Sequence, residues 1–117
     1  MKKIYALNSC DTCRKFLKEL DPPKEVEIID IKTQGISAKD LDLAAKKLGS
    51  YEVLFSKKAI KYRSLGLHLK TLTEKEMRKL ILEEYTFLRR PLVIMGTTIT
   101  AGATKDALAQ LKDSSHG

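Results

Sequence analysis

This 117-residue chain holds only two cysteines, two histidines and three prolines. A structural zinc site takes four ligands. The histidines, His68 and His116, lie far along the chain from the cysteines, and no second cysteine pair exists, so no metal is expected. No apolar run comes near the roughly 20 residues that span a bilayer, and no membrane association is expected. Met1-Lys2-Lys3 runs straight into a strand-like segment without the longer apolar stretch of a secretory signal. The expected compartment is the cytoplasm, where paired cysteines serve redox or catalytic chemistry more often than they staple a fold. A long unbroken basic block is missing as well. The formal charge is +7, but lysines are spread along the whole chain, so the excess draws anions without marking a nucleic-acid arm. Direct nucleic-acid binding is not expected. There is no internal repeat, linker or low-complexity tract, and 43% hydrophobic with 32% charged residues is ordinary for a soluble globular domain.

What the chain does have is concentrated in Cys10-Asp11-Thr12-Cys13. The apolar run Ile4-Tyr5-Ala6-Leu7 precedes it and a helical pattern follows. In a strand that turns into a helix through Cys-x-x-Cys, the first-turn N–H groups point at the first sulfur and the helix dipole favours its anion. The thiolate is the reactive form, so Cys10 is the candidate nucleophile and Cys13 its partner. The plainer alternative is a pair of small buried hydrophobes. Spacing and placement argue against it.

Hydrophobic periodicity supplies the frame. Lys2 to Leu7 is expected as a first strand, Asp11 to Leu20 as a helix with Phe16, Leu17 and Leu20 on one face, and Glu25 to Ile31 as a second strand. Asp21-Pro22-Pro23 stops the helix, because proline lacks the amide and clashes with the preceding turn. This is a βαβ unit, whose strands are parallel. The middle is helical. Ser37 caps a helix that carries Leu41, Leu43, Ala44, Ala45 and Leu48 on an apolar face and stops at Gly49. Short helices are expected at Tyr51 to Phe55 and at Lys57 to Leu65, the latter with Ala59, Ile60 and Tyr62 inward. Thr73 and Glu76 form a capping box for a helix through Met77, Leu80, Ile81 and Tyr85. Pro91 to Met95 and Thr98 to Thr100 make a hairpin around Gly96-Thr97. Thr104 caps a last helix through Leu111, and a frayed tail runs from 113 to 117. The order β-α-β, helical block, β-β-α resembles a thioredoxin-like α/β fold with a mixed four-stranded sheet. It would be one domain, 1–117, with its core at about 1–35 and 88–113 and a helical insertion at about 36–87.

Arg89-Arg90-Pro91 opens the hairpin. A proline before the third strand of such a fold usually has a cis peptide bond and sits against the active sulfur, which makes Pro91 the candidate. Arg90 would then enter the site, where a guanidinium can stabilise a thiolate or grip an oxyanion with two hydrogen bonds. A surface arginine that happens to precede a strand is the alternative. Arg14 and Lys15 follow Cys13 and read more simply as a solvated helix face. The basic segment Lys57, Lys58, Lys61 and Arg63 faces either the thiol or, more simply, water.

Cys-Asp-Thr-Cys-Arg-Lys at 10 to 15, Tyr62-Arg63-Ser64-Leu65-Gly66-Leu67, and Leu88-Arg89-Arg90-Pro91-Leu92-Val93-Ile94 together resemble the ArsC/Spx/YffB family over nearly the whole chain. That family contains glutaredoxin-linked arsenate reductases and the transcription regulator Spx, on a thioredoxin-like fold with a helical insertion. The resemblance implies Cys10 as catalytic cysteine, Cys13 as resolving thiol, Arg90 as oxyanion-binding arginine and Pro91 as cis-proline. Thr12, Arg14 and Lys57 are further candidates for substrate binding or thiolate stabilisation. It implies a small oxyanion or thiol substrate and no bound cofactor. Glutathione with glutaredoxin, or thioredoxin, would be the external reductant. Two of the three arginines of the best-known reductases are replaced, at Ser56 and near Ala101, and Asn8 stands where a proline usually does. The intact Cys pair is also similar to that of Spx, whose disulfide switch and central glycine, nearest to Gly49 here, imply the RNA polymerase α-subunit as an alternative partner. A glutaredoxin-like disulfide reductase is a third alternative.

Overall fold

The computed structural model describes residues 2–116, without the side chains of 114–116. The chain divides into two compact units, one made of 1–35 and 90–117 and the other of 36–89.

The first unit is built on strand β1 (Lys2–Ala6), helix α1 (Asp11–Leu20), strand β2 (Glu27–Asp30), the single turn α2 (Ile31–Gln34), strands β3 (Leu92–Met95) and β4 (Thr98–Ala101), and helix α6 (Lys105–His116). The sheet order is β2-β1-β3-β4. β1 pairs parallel with β2, Ile4 opposite Ile28, and antiparallel with β3, Ile4 opposite Val93. β3 and β4 form the expected antiparallel hairpin, with Leu92 opposite Ala101. Successive strand residues face opposite sides of the sheet. Ile4, Ala6 and Val93 therefore share one face, and there they pack with Cys13, Phe16 and Leu20 of α1, with Val26, and with Ala107 and Leu111 of α6. The spacing of 13, 16 and 20 is one helical stripe. α1 ends where Asp21 adopts a left-handed conformation (φ 49°) and its N–H closes on the Leu17 carbonyl at 2.9 Å.

The second unit holds α3 (Ala38–Leu48), α4 (Ile60–Ser64) and α5 (Glu74–Glu83), with 3-10 turns at Glu52–Leu54, Leu67–Leu69 and Tyr85–Phe87. Ser37 caps α3 by accepting from the Asp40 N–H at 3.1 Å. Gly49 ends it at φ 103°, a conformation that only glycine adopts cheaply. Thr73 and Glu76 form the reciprocal capping box at α5. Asp42 ties α3 to α5, accepting from Arg78 at 2.8 Å and from the Tyr51 hydroxyl at 2.6 Å.

Several local expectations change. The second strand begins at Glu27, because 23–26 is a turn closed by the Val26 N–H on the Pro23 carbonyl. It then gives way to α2, whose first turn is capped by Asp30. Within 51–55 only Glu52–Leu54 is helical, as a 3-10 turn. Leu43 of α3 is exposed rather than on its apolar face, and α5 ends at Glu83, so Tyr85 belongs to the 3-10 turn that follows. The helix expected from Lys57 starts only at Ile60, and residues two apart on a helix point about 200° from each other, so Ile60 and Tyr62 cannot both face inward. Ile60 is 88% exposed rather than inward, while Tyr62 packs edge-on against Phe55. In the tail, α6 continues to His116, and Gly117 lies outside the described residues.

Candidate active site

Topology alone brings the thiols and an arginine to one edge of the sheet. Tyr5 lies opposite Leu92 in the antiparallel β1–β3 pair, so the end of β1 meets the start of β3. Cys10 follows the first strand and Arg90 precedes the third. Ala101 ends β4 opposite Leu92, at the same edge.

Cys10 is the N-cap residue of α1, in extended conformation (φ −91°, ψ 112°). Its N–H closes a turn on the Leu7 carbonyl at 3.0 Å, and its carbonyl accepts from the Arg14 N–H at 3.1 Å. Neutral, the thiol gives the helix no cap hydrogen bond. As a thiolate it takes the role of a capping oxygen and accepts from the Cys13 N–H. Cys10 is half-buried and Cys13 fully buried, and both are free thiols.

The two sulfurs are driven apart in acidity. Partial burial raises the Cys10 pKa, but the Cys13 N–H, the Cys13 thiol and the Arg90 guanidinium all favour the anion, and the net shift is downward from 9.0. Burial pushes Cys13 up to about 11, helped by the neighbouring Cys10 and opposed by a backbone hydrogen bond at Leu7 and by the Arg90 charge. One thiol is therefore prepared to attack while the other keeps its proton and donates it in a hydrogen bond.

The peptide bond between Arg90 and Pro91 is cis. The Pro91 carbonyl accepts from the Gly102 N–H at 3.1 Å, which fixes the turn after β4 against the start of β3. Arg90 is half-buried and acts on both sulfurs. Cys10, Cys13 and Arg90 thus form one cluster.

The remaining candidates are exposed. Arg14 is exposed and paired with Asp11 on the outer face of α1. Thr12 is exposed at the second helical position. Lys57 is exposed in the second unit, in the turn before α4, and Ser56 uses its N–H on the Phe87 carbonyl at 2.7 Å. Gly49 has a structural reason for being glycine, given above. Among the described residues, no group of three or more His, Cys, Asp or Glu could hold a metal ion, and no helix is long and apolar enough to cross a membrane. The contribution of Leu7 was not legible in the sequence, because it acts through its backbone and any side chain could stand there.

A thioredoxin-like fold carrying a helix-capping thiol, a buried second thiol and an adjacent arginine defines an arsenate reductase-like class of thiol proteins. The ArsC family model matches residues 5–111, and the chain belongs to that family. It is 32% identical over 107 residues to the uncharacterised protein YusI of Bacillus subtilis, covering 88% of this chain and 91% of that one. The solution structure of SACOL0876 from Staphylococcus aureus is similar at 31% identity and a TM-score of 0.72, covering 94% of this chain and 97% of that one. An arsenate reductase from Vibrio cholerae shares the fold at 18% identity and a TM-score of 0.77, covering 94% and 96%. Family and fold support a role of the thiol-dependent oxidoreductase kind.

Proposed function

We propose that the protein is a cytoplasmic thiol oxidoreductase, acting as one domain with a helical insertion, in which Cys10 attacks and Cys13 resolves. The observation that carries this reading is the opposed shift of two thiols one helical turn apart. Toward a disulfide, the Cys10 thiolate attacks one sulfur and forms a mixed disulfide, and the first thiolate leaves. Cys13 then gives up its proton and attacks the Cys10 sulfur, and the second thiolate leaves. The substrate gains two electrons and the Cys10–Cys13 pair is oxidised to a disulfide. An external dithiol, glutaredoxin or thioredoxin, or glutathione, restores it. Toward arsenate, Cys10 displaces one oxygen of As(V) as water. Attack of Cys13 on the Cys10 sulfur then leaves the electron pair with arsenic, which departs as arsenite.

Arg90 binds the substrate anion or holds the Cys10 thiolate. A tetrahedral oxyanion needs more donors than one guanidinium supplies. Alanine at position 101, at the same sheet edge, favours the disulfide as substrate. The test is NADPH oxidation linked to glutaredoxin or to thioredoxin, with hydroxyethyl disulfide and with arsenate, for the wild type and for Cys10→Ser. Turnover of the disulfide well above that of arsenate, abolished by Cys10→Ser, is the expected result. Activity that survives Cys10→Ser overturns the mechanism.

A further inference from the structure

The second unit carries a short segment that exposes large apolar side chains among cations. Ile60 is 88% exposed, Leu69 82% and Leu65 58%, all within ten residues of sequence. Single exposed apolar residues are ordinary, but three large aliphatic side chains on one short helix, its C-cap and the 3-10 turn that packs against it are not. The flanking charge has one sign. From Val53 to Thr73 the sequence contains no acidic residue. Lys61 is taken by Glu84 at 2.6 Å and Lys70 lies 3.9 Å from Glu76. Lys57, Lys58 and Arg63 are exposed and make no ion pair among the described residues.

We propose that segment 57–70 docks an acidic protein surface. Three unpaired cations give that partner its sign, and the aliphatic side chains give it apolar area to bury. A nucleic acid would use the cations, but it gains little from Ile60, Leu65 and Leu69, which offer no ring for a base to stack on. A second copy of this chain, at a formal charge of +7, would be repelled.

Isotope-labelled protein is titrated with a synthetic amphipathic helical peptide, leucine on one face and glutamate on the other, and amide shifts are followed by NMR. A glutamine-for-glutamate peptide and a 20-base-pair DNA duplex are the other arms. The acidic peptide is expected to shift amides of 57–70, with affinity falling at higher salt. Binding should fall at least tenfold for the glutamine peptide and for Ile60→Ser/Leu69→Ser. Both substituted side chains are exposed, so that variant should melt with the wild type, which separates lost docking from lost folding. Cys10→Ser should bind unchanged, so this result stands apart from the thiol mechanism. No shift within 57–70, equal affinity for the glutamine peptide, or tighter binding of DNA there overturns the proposal.

Discussion

The division of labour between the two thiols makes a quantitative demand on alkylation. Consider iodoacetamide at pH 7.5. Cys10 titrates below 9.0, so at least about 3% of it is thiolate. Cys13 titrates at about 11, which leaves about 0.03%, roughly a hundredfold less. A more basic thiolate is the better nucleophile, and over two pKa units a Brønsted slope of about 0.45 returns a factor of about ten. Ionisation alone therefore favours Cys10 by at least about tenfold, and the full burial of Cys13 widens the gap. The assay is intact-mass and peptide-mapping mass spectrometry over time, on reduced wild type, Cys10→Ser and Cys13→Ser. Cys13→Ser should label close to the wild-type rate, and Cys10→Ser at least tenfold more slowly. If Cys13 is labelled as fast as Cys10, the assignment of nucleophile and resolving thiol fails.

Three further outcomes follow from the same geometry. Arg90→Gln removes a charge and a donor that favour the Cys10 anion, so alkylation of Cys10 should slow several-fold at pH 7 and match the wild type near pH 10; equal rates at both pH values would remove Arg90 from the cluster. Stability should depend on pH through Cys13. Its folded pKa is raised, so its contribution is complete below 9.0 and is lost as pH rises through about 11. The advantage of reduced wild type over Cys13→Ala, measured by urea unfolding, should shrink between pH 9 and 11, and a constant or growing advantage contradicts the raised value. Cys10 works in the opposite sense, its contribution being lost as pH falls through its lowered pKa, but it is present in both proteins. Thr100, on β4, buries a hydroxyl that has no hydrogen-bond partner among the described residues, a condition that costs about 1–3 kcal/mol. Thr100→Val keeps the shape and removes that cost, so thermal unfolding should occur at the same or higher temperature; a clear drop would mean the hydroxyl is satisfied.

Much of this protein is written locally. The α1 stripe of Phe16 and Leu20, the Asp21-Pro22-Pro23 stop, the Ser37 and Thr73 caps and the hairpin around Gly96 each depend on neighbours within a turn or two, so periodicity and capping chemistry determine them. Cys10 at the mouth of a helix was legible for the same reason. Ile60 and Tyr62 lie on roughly opposite faces of a helix, and only the packing of Tyr62 on Phe55 decides which of the two turns inward. The opposed pKa shifts needed the tertiary structure. Burial against Ile4, Val93 and Leu111 raises Cys13, and Arg90 reaches Cys10 only because β1 and β3 lie antiparallel side by side. Val93 and Leu111 lie eighty or more positions from Cys13, and Arg90 eighty from Cys10, whereas an electrostatic effect depends on distance in space rather than along the chain.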